Sequence, residues 1–332
     1  MNSLYLGIDT SNYKTSAAVV DEDGNTIAEK SVLLDVPEGK RGLRQSEAFF
    51  MHSNRLPGYL HEILGMIDIG RLAGVGVSDR PRRVEGSYMP CFLAGLNAAL
   101  LIGESRRLPV FRFSHQEGHA AAVLEGRWPD SSEDTVFFHL SGGTTEALLC
   151  RPDAAGYKMR IVGGTLDISI GQLFDRFGVA SGFQFPAGRY LDDLAYGFLE
   201  AAGFDTDKAD LSCIMPSIRI KDGYFNLSGA ETRLMRSVSS EEADTARTAA
   251  ELFAVIADLL HREASYLCNK YGTDRAVMAG GAASSRTIRK LLSCKRDPAP
   301  EFGDPELSGD NAVGIARLAK RMYETGNCIS GK

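Results

Sequence analysis

The chain has 332 residues, 44% of them hydrophobic, and a formal net charge of −6. That length suits about two domains. The acidic balance argues against nucleic-acid binding by bulk charge and leaves only local basic groups, at Lys40, Arg41 and Arg44, at Arg80, Arg82 and Arg83, and at Arg106, Arg107 and Arg112. The N-terminal end reads as three antiparallel strands near 4–8, 15–20 and 26–32, with Asp23-Gly24 turning the last pair. A helix follows over about 46–66, with Pro57 predicted to kink or interrupt it. Then come a strand at 72–77, a Leu- and Ala-rich helix over 89–105, and a strand at 110–113. Ala120–Leu124 continues a helix that Ser114 is placed to cap.

The same order then begins again. Strands are predicted at 135–140, 146–150 and 158–162, and helices near 168–181 and 189–202. A long helix is expected over 240–271. Ser239 and Glu242 form its capping box, Leu252, Val255, Ile256, Leu259 and Leu260 its apolar stripe, and Gly272 its stop. A strand at 275–279, a helix from Ser284 and a last helix over 311–324 complete the chain. Two meanders, each followed by α/β units, imply two related lobes with a crevice between them, where ligand sites are common. A single Rossmann sheet is disfavoured, since no G-x-G-x-x-G follows the first strand. No apolar run reaches the roughly eighteen residues of a membrane span. The start has no basic signal-like region, and six cysteines lack C-x-x-C spacing, so a cytoplasmic protein with reduced thiols is expected.

His115 and His119 are the sharpest chemical signal. Four residues apart on a helix, two imidazoles leave one face a turn apart and can share a divalent cation. A zinc protease would carry Glu directly after the first His, but Gln116 stands there and Glu117 points off the shared face. The plainer reading is a pair of surface histidines. Asp310, at the start of the last helix, is the best third ligand by position, although Asp is also a good N-cap. Two imidazoles and a hard oxygen suit iron, zinc or manganese.

Two Gly-rich turns follow strands. Ser141-Gly142-Gly143-Thr144 can turn backbone N–H groups inward as an anion nest, or be a plain hairpin turn. Ala279-Gly280-Gly281-Ala282-Ala283-Ser284-Ser285 joins a strand to a helix N-terminus, which suits a nucleotide, or simply caps that helix through Ser284. Asp175, expected on one helical face with Asp167, could hold ribose hydroxyls or be a solvated acid.

Taken together, these segments resemble the universal tRNA threonylcarbamoyladenosine synthases, the TsaD family, of actin-like (ASKHA) α/β fold. Leu6-Gly-Ile-Asp-Thr-Ser11, His115-Gln-Glu-Gly-His119, Ser141-Gly-Gly-Thr144, Gly171-Gln-Leu-Phe-Asp-Arg176, Pro186-Ala-Gly188, Asn226-Leu-Ser-Gly229, Met278-Ala-Gly-Gly281 and Gly309-Asp310-Asn311 match that family's motifs in order over nearly the whole chain. The resemblance implies an N-terminal lobe over 1–110, completed by a helix at 311–330, and a second lobe over 111–310. It implies metal ligands His115, His119 and Asp310, holding one divalent ion, iron or zinc. It implies contacts to ATP, AMP or an acyl-adenylate from Leu140, Ser141, Gly142, Gly143, Thr144, Asp175, Gly188, Gly280, Gly281 and Ser285. The family transfers a threonylcarbamoyl group from its adenylate to N6 of a tRNA adenosine, so tRNA is the implied acceptor, and TsaB- or TsaE-like proteins are the implied partners.

The chain departs from the family pattern where substrate would be met. The usual Thr-Ser-Cys-Asp-Glu-Thr reads Thr10-Ser-Asn-Tyr-Lys-Thr15, and Gly-Pro-Gly gives way to Asp79-Arg-Pro-Arg-Arg-Val-Glu-Gly86. Ser-Gly-Gly-His-Thr-Gln has become Ser141-Gly-Gly-Thr-Thr-Glu146, and an Asn after the second Gly-Gly turn is Ser285. The chain thus reads as a divergent paralogue: a threonylcarbamoyl or related carbamoyl transferase, or alternatively a non-catalytic nucleotide-binding partner of one. A protease reading has no support, since no H-E-x-x-H and no assembled Ser/His/Asp motif is visible.

Overall fold

A computed structural model describes residues 2–11, 13–35, 43–124, 134–153, 156–238, 244–304, 307 and 312–326. They form two compact units. The first comprises Met1–Ser132, Arg151–Met159 and Glu306–Lys332, and the second comprises Glu133–Cys150 and Arg160–Pro305.

The first unit is built on strands β1 (Leu4–Asp9), β2 (Lys14–Val20), β3 (Thr26–Leu33), β4 (Leu72–Arg80) and β5 (Val110–Ser114), in the order β3-β2-β1-β4-β5. The first three pair antiparallel, and β4 and β5 add in parallel. The pleat sorts the side chains. Leu4, Leu6 and Ile8 pack with Leu56, Leu60 and Ile63 of α1 (Gln45–Gly65). Pro57 does not break α1, which runs through it as one helix. Helix α2 (Phe92–Arg106) lies against β4 on that side, with Ala99 in the same cluster.

The opposite face takes the last helix of the described residues. Helix α3 (His115–Leu124) continues directly from β5. Helices of the second unit follow it in the chain. Helix α9 (Val313–Glu324) then returns to the first sheet, where Val313 and Ala316 join Tyr5, Ala18 and Val20 in one cluster. The approach is closer than side chains permit. A Cβ on Gly7 would lie 2.3 Å from the Ala312 carbonyl, one on Gly76 2.6 Å from that of Ile315, and one on Gly314 1.9 Å from that of Gly118. Helix α9 therefore seats backbone to backbone on β1, β4 and α3.

The second unit repeats the plan. Strands β6 (Thr135–Leu140), β7 (Thr145–Asp153), β8 (Gly156–Thr165), β9 (Tyr224–Phe225), β10 (Ala276–Ala279) and β11 (Glu301–Phe302) lie in the order β11-β10-β6-β7-β8-β9. Set aside β9, and β6, β7, β8, β10 and β11 occupy the places of β1, β2, β3, β4 and β5. Helices α4 (Ile170–Ala180), α5 (Gly188–Ala201), α6 (Ser228–Val238), α7 (Thr245–Tyr271) and α8 (Arg286–Leu292) complete the unit. The expected stripe of α7 is in place: Leu252, Ile256, Leu259 and Leu260 are fully buried, and Val255 is partly so. Phe253, beside that stripe, stacks on Phe174 at 4.5 Å. Helix α7 begins at Thr245 with Asp244 as its cap, the carboxylate accepting from the Arg247 amide. The expected box at Ser239 and Glu242 lies outside the described residues. The short β9 and β11 and helix α6 escaped sequence reading, the strands because two residues carry no period. Among the described residues no helix is long and apolar enough to cross a membrane.

Glu263 of α7 is fully buried against the Gly163–Gly164 backbone. Burial pushes its carboxyl well above the ordinary range, opposed only by the Gly164 amide. A raised folded-state value means that the group favours folding most below the unfolded value of about 4.3, and costs stability as pH rises through the folded value. Glu263→Gln is therefore expected to raise the melting temperature relative to wild type at pH 7–8, with the gain shrinking as pH falls through 5 to 4. Parallel thermal melts across that range check it. Gly314→Ala is expected to destabilise by at least about 1–3 kcal/mol, whereas Gly58→Ala, with nothing within 4 Å of its new Cβ in α1, is expected to be neutral or stabilising. Denaturant titration of the two variants distinguishes them.

Candidate functional site

In the first unit the site begins with Asp9, the last residue of β1. Its carboxylate is fully buried. Ser11 Oγ donates to it at 2.6 Å, and Ser78 of β4 donates to the other oxygen. His115 Nδ1 faces the same carboxylate at 3.2 Å. Burial works to raise the Asp9 pKa, but the facing His115 and the two hydroxyls outweigh it and hold it below the usual carboxylate range. An ionised carboxylate only accepts, so His115 Nδ1 carries the proton, which directs the Nε2 lone pair outward.

That Nε2 lies 3.0 Å from Nε2 of His119, and the two rings meet edge to face. The expected pairing on one face of α3 is present. Two nitrogens about 2.1 Å from one ion and at right angles to each other would sit about 3.0 Å apart. Two convergent imidazoles, one backed by a carboxylate, fit a divalent transition metal. Asp310 lies outside the described residues.

The start of α3 is fixed by Ser114 and Glu117. Ser114 Oγ accepts from the Glu117 amide at 3.2 Å, while the Ser114 amide and hydroxyl donate to Glu117 Oε2 at 2.9 and 2.8 Å. Arg83 adds a 3.3 Å contact to Glu117 Oε1. Glu117 is thus the buried anchor of the histidine helix. Asp9 and Glu117 both escaped assignment as site residues. The available signal was a carboxylate ending an otherwise apolar strand, and one three residues after Ser114. Several candidate nucleic-acid arginines are also engaged within the unit. Arg80 and Arg112 each reach Asp79 at 2.7 Å, and Arg106 donates to the Ile69 carbonyl.

In the second unit the turn after β6 is tied to the start of α4. The Ser141 amide donates to the Thr144 carbonyl at 2.8 Å, and the Thr144 amide to Ser141 Oγ at 3.0 Å. Ser169, the cap of α4, donates to the Gly142 carbonyl at 2.7 Å, and Thr145 Oγ1 accepts from the Ile170 amide. Gly280 closes on the same place. Its φ is +104°, and a Cβ there would lie 2.3 Å from the Leu140 carbonyl. Gly142, Gly143 and Gly281, by contrast, have open space where a Cβ would go. Leu140, Ser141–Thr144 and Gly280–Gly281 are therefore gathered at one end of β6 and β10.

Asp175 pairs with Gly188 by another route: its Oδ1 accepts from the Ala187 and Gly188 amides at 2.8 and 3.3 Å. Burial raises the Asp175 pKa, against the pull of those amides. Asp167 does not share its helical face, because α4 starts only at Ile170. Asp167 instead accepts from the Leu227, Ser228 and Ile168 amides, which outweigh its partial burial and bring its pKa down to about 2. Ser285, rather than Ser284, caps α8. Its hydroxyl accepts from the Ile288 amide and donates to buried Asp192 at 2.6 Å.

Residues 38–317 match the family model of tRNA N6-adenosine threonylcarbamoyltransferase, TsaD. The chain belongs to the TsaD family. A TsaD relative from Archaeoglobus fulgidus is 28% identical over 328 residues, covering 97% of this chain and 92% of its own. One from Geobacter sulfurreducens is 29% identical over 326 residues, covering 94% and 90%. The fold is shared more widely. Component A of (R)-2-hydroxyglutaryl-CoA dehydratase from Acidaminococcus fermentans superposes with a TM-score of 0.57 at 15% identity, over 97% of this chain and 99% of that one. The activator of 2-hydroxyisocaproyl-CoA dehydratase from Clostridium difficile gives 0.54 at 14%, over 100% and 99%. The fold is the actin-like ASKHA fold, and the TsaD family is one of tRNA-modifying transferases.

The glycines of the second unit give a paired expectation. Gly143→Ala meets no protein atom within 4 Å of its new Cβ, so the melting temperature should hold. Gly280→Ala should instead destabilise by about 1–3 kcal/mol or more, since its backbone region belongs to glycine alone. Thermal melts of the two variants separate the outcomes.

Proposed function

We propose that this chain transfers a threonylcarbamoyl group from its adenylate to N6 of a tRNA adenosine. The observation that carries the reading is the convergence of His115 and His119, with the buried Asp9 carboxylate behind His115, in a chain of the TsaD family. In this reading His115 and His119, with Asp310 as third ligand, hold one divalent ion, iron or zinc. When bound, that ion supplies Lewis-acid polarisation of the carbamoyl oxygen.

The chain's own residues do the rest. Asp9 keeps His115 in the Nδ1–H tautomer, and Glu117 with Arg83 fixes the helix that carries both rings. The backbone of Ser141–Thr144, with Gly280 and Gly281 beside it, cradles the adenylate phosphate. Asp175 keeps Oδ2 for a ribose hydroxyl while its Oδ1 shapes the Gly188 turn. Ser285, whose hydroxyl is engaged with Asp192, acts at the adenine side by setting the start of α8. The adenosine N6 attacks the carbamoyl carbon, the new C–N bond forms, the bond to the AMP oxygen breaks, and the amine gives up a proton. Positioning and charge stabilisation carry the rate, with no protein nucleophile. TsaB- or TsaE-like proteins are the partner class that follows from the same reading.

The test joins metal content to transfer. Wild-type protein should retain about one iron or zinc per chain, and His115→Ala with His119→Ala should lose it together with transfer to tRNA. Asp9→Asn should keep both imidazoles and weaken metal affinity about 10–100-fold. Full metal retention by the double histidine variant, or metal-independent transfer, would overturn the assignment.

A further inference from the structure

A second feature of the second unit lies outside the groups assigned so far. Ile218 and Ile220 turn into the core, so Arg219 and Lys221 project from the other side of the chain. The segment then reverses in two residues. Asp222 and Gly223 both have positive φ, +57° and +96°, and Lys221 and Tyr224 exchange both backbone hydrogen bonds at 2.8 and 2.9 Å. A Cβ on Gly223 would lie 2.6 Å from the Val162 carbonyl, so the turn is seated on β8. The result is a rigid wall beside a cavity of about 550 Å³, lined by Arg219, Lys221, Tyr224, Phe225, Asn226 and Leu166.

Three observations say what this cavity suits. First, some basic side chains of this unit are paired with a carboxylate, as Arg176 is with Glu231 and Arg275 with Glu301. Among the described residues Arg219 and Lys221 form no ion pair, and both are exposed. With Asp222 also at the rim, the cavity keeps a net single positive charge. Second, the remaining lining is half-buried Tyr224 with exposed Leu166 and Asn226, above Phe225, whose side chain lies in the core. An aromatic side chain and an amide at the surface suit a ribose and base better than they suit an acidic peptide. Third, the cavity is tied to the adenylate turn by one short stretch. Leu166 donates its amide to the Phe225 carbonyl at 2.9 Å, Asp167 holds the Leu227 and Ser228 amides, and Ser169 grips Gly142. A polyanion seated here is held in fixed register with the turn.

We propose that Arg219 and Lys221 grip a phosphodiester of the acceptor tRNA at this cavity, with the neighbouring nucleoside against Tyr224, so that the cavity sets the register of the RNA. This rests on the tRNA reading above and adds a positioning contact to it.

Fluorescence anisotropy of a labelled anticodon stem-loop tests it, comparing wild type with Arg219→Ala/Lys221→Ala and with Lys221→Glu. Both sites are exposed, so the melting temperature and AMP affinity should be unchanged. Loss of two phosphate contacts is expected to lower affinity about tenfold at low salt and to reduce the salt slope by roughly 1.4–1.8. Wild-type binding that the double variant reproduces, in affinity and slope, overturns the cavity assignment and leaves the tRNA reading standing. Absence of any stem-loop binding by wild type overturns the tRNA reading and this contact with it. A phosphoserine peptide that binds wild type as tightly as the RNA, and loses affinity in the same variants, overturns the choice of RNA as the occupant.

Discussion

The first unit depends on a contact in which glycines let a helix sit directly on the sheet. Where α9 crosses β1, β4 and α3, glycines at 7, 76 and 314 remove Cβ atoms that would strike main chain, and Gly118 makes room for the Ile315 side chain. Close approach of this kind trades side-chain burial for dispersion between main-chain atoms, and it tolerates no added methyl group. Its importance lies in what it supports. Helix α3 has one side on this seam and carries His115 and His119 on another. The seam, the Ser114–Glu117 anchor and the Asp9 carboxylate fix the helix at three points. The relative placement of the two imidazoles follows from those constraints rather than from the histidines themselves.

The second unit uses its hydrogen bonds differently. Its Gly-rich turn is held from outside, by the cap of α4 and by Thr145, so that Gly142 and Gly143 remain open. Capping residues here do two jobs. Ser169 starts α4 and grips Gly142, Ser285 starts α8 and ties it to Asp192 on α5, and Asp167 satisfies the amides that open α6. Helix ends, where backbone donors lack partners, are thereby turned into rigid joints around the turn.

Much of this was legible in the sequence, and the reasons are physical. The strands of both meanders have strong alternation or continuous apolarity, and α7 has a stripe long enough to read. The histidine pair is legible because helical spacing alone puts residues four apart on one face. What stayed hidden depends on distant partners. Asp9 looks like a strand end until Ser78 and His115 arrive from far along the chain. Glu117 looks like a solvated acid until Arg83 reaches it. Asp167 and Asp175 have the spacing of a shared face, but a helix boundary at Ile170, fixed by Ser169, separates their roles. Arg219 and Lys221 are two cations in a loop by sequence. Their common side is set by Ile218 and Ile220 entering the core and by the tight Asp222-Gly223 reversal.

The position of α9 in the chain has a consequence for how the protein is made. Strands β1 and β4 and helix α3 leave the ribosome long before Gly314 does, with the whole second unit synthesised in between. Until then the glycine-lined face of the first sheet is uncovered, and Tyr5, Ala18 and Val20 have no cover from α9. The second unit can fold during that interval, because all of its segments have already emerged. The histidine helix reaches its final seat only after synthesis passes α9, so the unit that carries it matures last although it is translated first.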